Sequence, residues 1–331
     1  MKYLFLILLI SINLFSSDKY KTLELSIVAE KLIDSTITLL LNQNYSEAQK
    51  KSLQLQQIDK NEPIGYLLGA IILQAENEDF RIKENLEKIK LNLKRATELA
   101  YTKKNIERTK RDGIYYYSLS KSLSCLYKLK YENKLEAIAD GFSAYLNYNL
   151  LIKDYPDFIE SYSGYSAAKY WKAKRFPFLT PLSSKEEKQE GIEGLINVYK
   201  NGKLEKYFAL HYLIWILIEE KNYDNALDLI TENQKIFPLN RVFIRAKMTI
   251  YSNKDEIEDL ANSSIELLQS IKSSGRNNPH SEISALYNIS KSKLKIKIIN
   301  EYEKSISNIE CQDKHSTCSN KLAELKKIIK N

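Results

Sequence analysis

Three histidines are available for acid–base or metal chemistry: His211, His280 and His315. None has a second histidine at metal-ligand spacing, and there is no H-E-x-x-H pattern. Cys311 and Cys318 bracket a polar stretch that also holds His315. In an oxidising compartment this pair reads as a local disulfide, Cys311 to Cys318, pinning the last helix. A zinc site built from Cys311, His315 and Cys318 is the alternative, with only three ligands at irregular spacing. Cys125 sits among apolar residues and reads as a buried, inert thiol. Carboxylates are plentiful but are scattered among lysines at helix-surface spacings. No glycine-rich phosphate loop and no nucleophile elbow occurs. The sequence therefore predicts no enzyme, no metal and no cofactor.

Aromatic side chains are the more abundant resource. The chain holds 23 Tyr, 10 Phe and 2 Trp. Tyr115, Tyr116 and Tyr117 are consecutive, so on a helix they point about 100° apart and at least one reaches a surface or a second layer. Tyr145, Tyr148, Tyr155, Tyr162, Tyr165 and Trp171 follow in the middle of the chain. Phenols can fill the space between helices with the hydroxyl at the edge, or stand exposed as contacts for a peptide or carbohydrate. Lys103–Arg111 and Lys169–Arg175 are basic runs within a net charge of +8. They read as solvated helix faces, and no nucleic-acid motif accompanies them.

The elements that carry these residues are helices. Gly and Pro number only 9 and 6 in 331 residues, too few for the turns of a β-sandwich or the phosphate loops of nucleotide folds. A composition 44% hydrophobic and 11% aromatic excludes a disordered chain. Helical periodicity covers 20–42, 45–58, 63–76, 80–100, 105–130, 133–153, 157–173, 184–200, 204–220, 223–236, 239–252, 255–273, 279–309 and 316–330. Before these, Lys2 and the apolar run 3–15 describe a secretory signal peptide over 1–17, with an uncleaved anchor as the alternative. No cysteine lies near the cleavage region, so the chain is not expected to be a lipoprotein, and no transmembrane helix is expected once the signal is removed. The expectation is export to the periplasm or the cell envelope, with peripheral membrane association possible. One segment interrupts the helices: 174–183 holds Pro177, Pro181, Phe176, Phe178 and Leu179. It is expected to pack over its neighbours, since those side chains are costly in water.

Internal repetition organises the rest. Leu210, Leu213, Ile214 and Leu217 form one helix face; a Lys-Asn-Tyr turn follows at 221–223, then Ala226 and Pro238. Asn44-Tyr45-Ser46-Glu47-Ala48 repeats the turn, and Ala144, Tyr148, Leu151, Tyr155 and Pro156 fit the second half of a unit. The spacing of Tyr223, Ala226 and Pro238 resembles the tetratricopeptide repeat (TPR), a helix-turn-helix unit of 34 residues. The resemblance implies an all-α fold, a right-handed helix-turn-helix solenoid with the one irregular Pro/Phe loop. It also divides the chain into an N-terminal array, 18–173, and a C-terminal array, 184–331. It gives Tyr45, Ala48, Ala144, Pro156, Tyr223, Ala226 and Pro238 structural roles. It also implies that the first helix of each pair lines a concave groove, which puts Phe208, His211 and Trp215 in that groove, with Tyr162 and Tyr165 contributing. The functional expectation is an exported, non-catalytic scaffold that binds a protein or peptide. The alternative is a permanent assembly subunit of an envelope or transporter complex, in which Trp215 packs inside an interface.

Overall fold

The computed structural model describes residues 20–177, 184–292 and 317–330. Among them are fourteen α-helices. They are α1 (Ile27–Leu41), α2 (Tyr45–Ile58), α3 (Pro63–Phe80), α4 (Leu86–Lys104), α5 (Lys110–Tyr131), α6 (Lys134–Asp154) and α7 (Ser161–Arg175). After the interruption come α8 (Ser184–Asn201), α9 (Lys206–Glu219), α10 (Tyr223–Gln234), α11 (Arg241–Asn253), α12 (Ile257–Ser273), α13 (Pro279–Ser290) and α14 (Thr317–Lys330). Each helix packs on the next in sequence, giving an all-α array of helix hairpins. None of the described helices is long and apolar enough to cross a membrane.

Glycine scarcity is resolved at the turns. Gln43, Arg81, Lys221 and Asp255 all take left-handed φ, and Gly275 is the one described glycine that does. Gln43-Asn44, Lys221-Asn222 and Asp255-Glu256 share one geometry: φ is 58°, 58° and 56° at the first residue, and the next residue caps the following helix. In each, the second N–H reaches back five residues to a carbonyl (Asn44 to Leu39, Asn222 to Leu217, Glu256 to Tyr251). The last two of these turns lie 34 positions apart, one repeat length. The third was invisible in sequence because Asp-Glu-Ile stands in place of Lys-Asn-Tyr. Of the repeat-structural residues, Tyr45, Ala48, Ala144 and Ala226 are buried and Tyr223 is half-buried. Pro156 and Pro238 are exposed, beyond helices that already end at Asp154 and Gln234.

Expectations about elements change at three places; one is the helix expected over 279–309, which ends at Ser290 with Lys291 as its cap. Residues 20–26 are extended, not helical: Lys21 pairs in parallel with Phe158, donating its N–H to Asp157 and accepting from Ile159. That pairing is with a turn far away in sequence, so local periodicity gave no sign of it. Phe176, at the end of α7, is 51% exposed. Phe178, Leu179 and Pro181 lie outside the described residues, as do the apolar run 3–15, Cys311 and His315; the Cys311–Cys318 pairing lies there too.

The array does not stay open. Its ends meet through a buried clasp in which Asp79, at the end of α3, faces the start of α11. Arg241 Nε donates to both Asp79 carboxylate oxygens at 3.1 and 2.9 Å, Arg245 Nη2 stands 2.7 Å from Oδ1, and the Tyr45 hydroxyl donates to Oδ2 at 3.0 Å. Around this, Asn240 Nδ2 donates to the Leu41 carbonyl, the Arg241 N–H to Gln43 Oε1, and Asn278 Nδ2 to the Asp79 carbonyl. Arg276 pairs with Glu76 while lying 3.9 Å from the centre of the Phe80 ring. Burial alone would raise the Asp79 carboxyl; the two guanidiniums outweigh it and hold it below the ordinary carboxylate value.

Candidate functional site

Helix α9 is apolar nearly all round, so both its faces have work. Ala209, Leu210, Leu213, Ile214 and Leu217 are buried between its neighbours. Phe208, His211 and Trp215 recur at three and four residues on the opposite side; Phe208 is half-buried, His211 exposed, and Trp215 half-buried with one side packed on the core around α9. The N-terminus of the helix is fixed from below. The Glu160 carboxylate accepts the N–H groups of Lys203, Leu204 and Glu205, at 2.9, 3.3 and 2.8 Å, and so fixes the turn that leads into the helix. Beside it the Tyr115 hydroxyl donates to the buried Glu205 carboxylate at 2.5 Å. Burial, with the nearby Glu160 charge, raises the Glu205 pKa to about 7.

The stripe faces an open cavity of about 830 Å³ on the inner side of the array. Its wall is built mainly from odd-numbered helices. Helix α1 gives Ile37, Leu40 and Leu41; α3 gives Ile71, Gln74, Ala75 and Glu78; α5 gives Leu123 and Leu126; α9 gives Tyr207, Phe208, His211, Tyr212 and Trp215. Helix α11 adds Val242, Arg245, Met248, Thr249, Ser252 and Asn253, α13 adds Ser284 and Asn288, and α14 adds Lys321. A second depression of about 610 Å³ shares Trp215, Thr249 and Asn253 and continues the trough past Trp171 to Tyr223. The first helix of each hairpin thus lines the interior, α7 only through Trp171 in the second depression. Apolar and aromatic side chains dominate, and amides, hydroxyls and a few charges punctuate them.

His211 stands exposed within the trough, its ring edge-on to Tyr212 and Trp215 at 6.1 and 6.4 Å between centroids. Of the charged side chains in the wall, Asp79 and Arg245 are paired in the clasp, Glu78 pairs with Lys130, and Lys321 donates to Ser284 Oγ at 3.2 Å.

Tyr162 and Tyr165 do not join this site. Both are on α7, which contributes nothing to the main cavity wall. The Tyr162 hydroxyl donates to the Pro156 carbonyl at 3.0 Å, and the Tyr165 ring stacks on Tyr145, with centroids 5.8 Å apart and planes 9° from parallel. Their role is to join α7 to α6 and its turn, and phenol density along the sequence did not reveal which wall they serve. Tyr115, Tyr116, Tyr148 and Tyr170 are fully buried. Tyr117 alone of the Tyr115–Tyr117 triplet is left partly exposed, beside Tyr101 and under Lys104. Much of the basic runs is spent on local pairs: Lys103 with Glu62, Arg111 with Asp112, Lys169 with Glu190, Lys172 with Glu187 and Lys174 with Glu220. Among the described residues no group of three or more His, Cys, Asp or Glu side chains stands where it would hold a metal ion.

Sequence reasoning missed Gln74, Met248, Thr249 and Asn253. Carrying the stripe of α9 forward by one 34-residue repeat, onto α11, lands on Val242, Arg245 and Thr249, so of these four it would have found only Thr249.

No family model matches the chain, and no curated protein matches it. Among solved structures the chain is similar to the TPR domain of P58(IPK), with 13% sequence identity and a TM-score of 0.26, over 92% of this chain and 99% of that one.

Proposed function

We propose that the protein is a non-catalytic scaffold that holds an extended peptide or a helix of a protein partner in this trough, with Phe208, His211 and Trp215 as its main contacts. The observation that carries the reading is the stripe itself: three large ring side chains on the side of α9 away from its buried face, in a cavity to whose wall α1, α3, α5, α9, α11, α13 and α14 contribute. Rigid rings bind with little loss of conformational freedom, and a long apolar trough with scattered amides suits a segment that offers side chains and backbone together. Export belongs to the same reading and rests on Lys2 and the apolar run behind it.

The test uses peptides selected from a random displayed library on the full chain. Trp215→Ala and Phe208→Ala are expected to weaken the selected peptides at least about tenfold, the loss of roughly 1.4 kcal/mol that a buried aromatic anchor readily accounts for. Helicity by far-UV circular dichroism should stay unchanged. Unaltered affinity in both variants would remove the trough from the binding surface.

A further inference from the structure

The trough is lopsided in charge. The acidic side chains of the main cavity, Glu78 and Asp79, are both neutralised, Glu78 by Lys130 and Asp79 by Arg241 and Arg245. Arg81 and Lys321 stand in the same wall, and no carboxylate among the described residues pairs with either. Arg81 follows α3 as its left-handed cap, at φ 55°, and is exposed. Lys321 enters from α14. Lys291, the cap of α13, stands beside it, equally without a carboxylate partner: the two ammonium groups lie 4.1 Å (Lys291) and 5.1 Å (Lys321) from the centre of the same Tyr287 ring. Burial, and then the charge of Lys291, pushes the Lys321 amine below the ordinary lysine value. The charges of Arg81, Arg245 and Lys321 all reach the imidazole of His280, at the start of α13, so they stand at one end of the trough. Past Trp215 the second depression carries one charge of each sign, Glu219 and Lys221.

We propose that the segment held in the trough carries a run of two or more acidic side chains, seated against Arg81, Lys291 and Lys321, while its apolar part lies along α9. This rests on the trough as the binding surface and adds the chemistry and the direction of what it holds. Charge complementarity selects the occupant: an uncharged or basic segment would leave these cations facing it without counter-charge. Their number selects side chains over the single terminal carboxylate of a peptide, which would neutralise only one of them. Arg245 does not enter the count, because Asp79 already holds it at 2.7 Å. The cations come from the end of α3, the end of α13 and the start of α14, so acidic residues spaced along one segment can meet them in turn. Arg81, exposed and free of a carboxylate, has its guanidinium available for a two-pronged bond to one of these acids.

A random peptide library displayed through its C-termini, so that no terminal carboxylate is offered, tests this on the full chain. Selected peptides are expected to be enriched in Asp and Glu, two or more together on one side of an apolar core. One selected peptide, made with an amidated C-terminus, is then titrated by fluorescence anisotropy. Arg81→Glu and Lys291→Glu should each weaken it at least about fivefold at about 50 mM salt, and less at about 500 mM, where charges at a rim are screened. Both residues are exposed, so helicity should stay unchanged. The same peptide with Asn and Gln in place of its acidic residues should bind the wild type and both variants alike. Selected peptides without acidic enrichment, or an affinity that neither substitution moves, overturn the proposal. If Trp215→Ala still weakens those peptides, the trough stands as the binding surface and only its charge preference falls. Acidic peptides that respond to Arg81→Glu but to neither Trp215→Ala nor Phe208→Ala would put their site outside the trough and overturn it equally. A library that yields no binder removes both readings.

Discussion

Glu205 sits buried where α5, α7 and α9 meet, and its carboxyl titrates near pH 7 instead of near 4.5. Burial is the main cause. The folded chain therefore binds this proton more tightly than the unfolded chain does. Below about pH 4.5 both states are protonated and no penalty exists. As pH rises from 4.5 towards 7 the unfolded chain ionises freely while the folded chain resists, so stability falls, and it levels off above pH 7. The loss is on the order of 3 kcal/mol, at about 1.4 kcal/mol per pH unit. Glu205→Gln, which can still accept the Tyr115 hydroxyl, should flatten most of that decline and exceed the wild type in stability at pH 8. Urea midpoints measured between pH 4.5 and 8 decide it; parallel curves would contradict the assignment. Part of the slope should survive in the variant, because burial raises Glu160 in the same direction. At this scale the sequence was legible where one helix held the whole pattern, as with Phe208, His211 and Trp215. It was not legible at Asp79, which reads as an ordinary polar helix end in Asn77-Glu78-Asp79 while its partners stand 162 and 166 positions on.

Among elements, helix positions follow from periodicity and caps, and most boundaries fall within a few residues of those the sequence implies. What periodicity does not reveal is how closely two helices approach. Gly113 marks one such place: a Cβ there would collide with the backbone of Lys103 and Lys104 where α4 hands over to α5. Backbone cannot swing aside as a side-chain tip does, so Gly113→Ala should destabilise by about 1–3 kcal/mol or more, read as a lower thermal midpoint. Gly164 is a softer case, since the obstacle is the Tyr148 ring from α6. The few glycines in this chain thus serve helix contact more than turning. Turning falls to Gln43, Lys221 and Asp255 in left-handed conformations that L side chains adopt at a cost. A glycine-based search for turns would have missed all three, while the Asn-Tyr signature caught two.

For the whole molecule the decisive feature is closure. TPR-like spacing implies an open solenoid with nearest-neighbour contacts, in which distant hairpins are independent. Here α1–α3 and α11–α13 share one buried network, so the two halves stabilise each other. Asp79→Asn leaves Arg241 and Arg245 short of their counter-ion inside the protein, and the expected loss is about 3–5 kcal/mol in chemical denaturation. A loss under about 1 kcal/mol would mean that the network adds little to closure. Nothing local announces this contact. Charge pairs within a helix can be read from spacing, but a pair that depends on how far an array bends before its ends meet cannot.

The clasp also has a consequence in time. Asp79 and Arg241 must find each other across 162 positions, about half the chain, and a contact of such long range forms late, after the hairpins between them have assembled and curved. Interactions made after the rate-limiting step govern how fast a protein comes apart, not how fast it goes together. The Asp79 clasp is then a lock on the unfolding rate: weakening it should shorten the lifetime of the closed form while leaving the refolding rate near its original value.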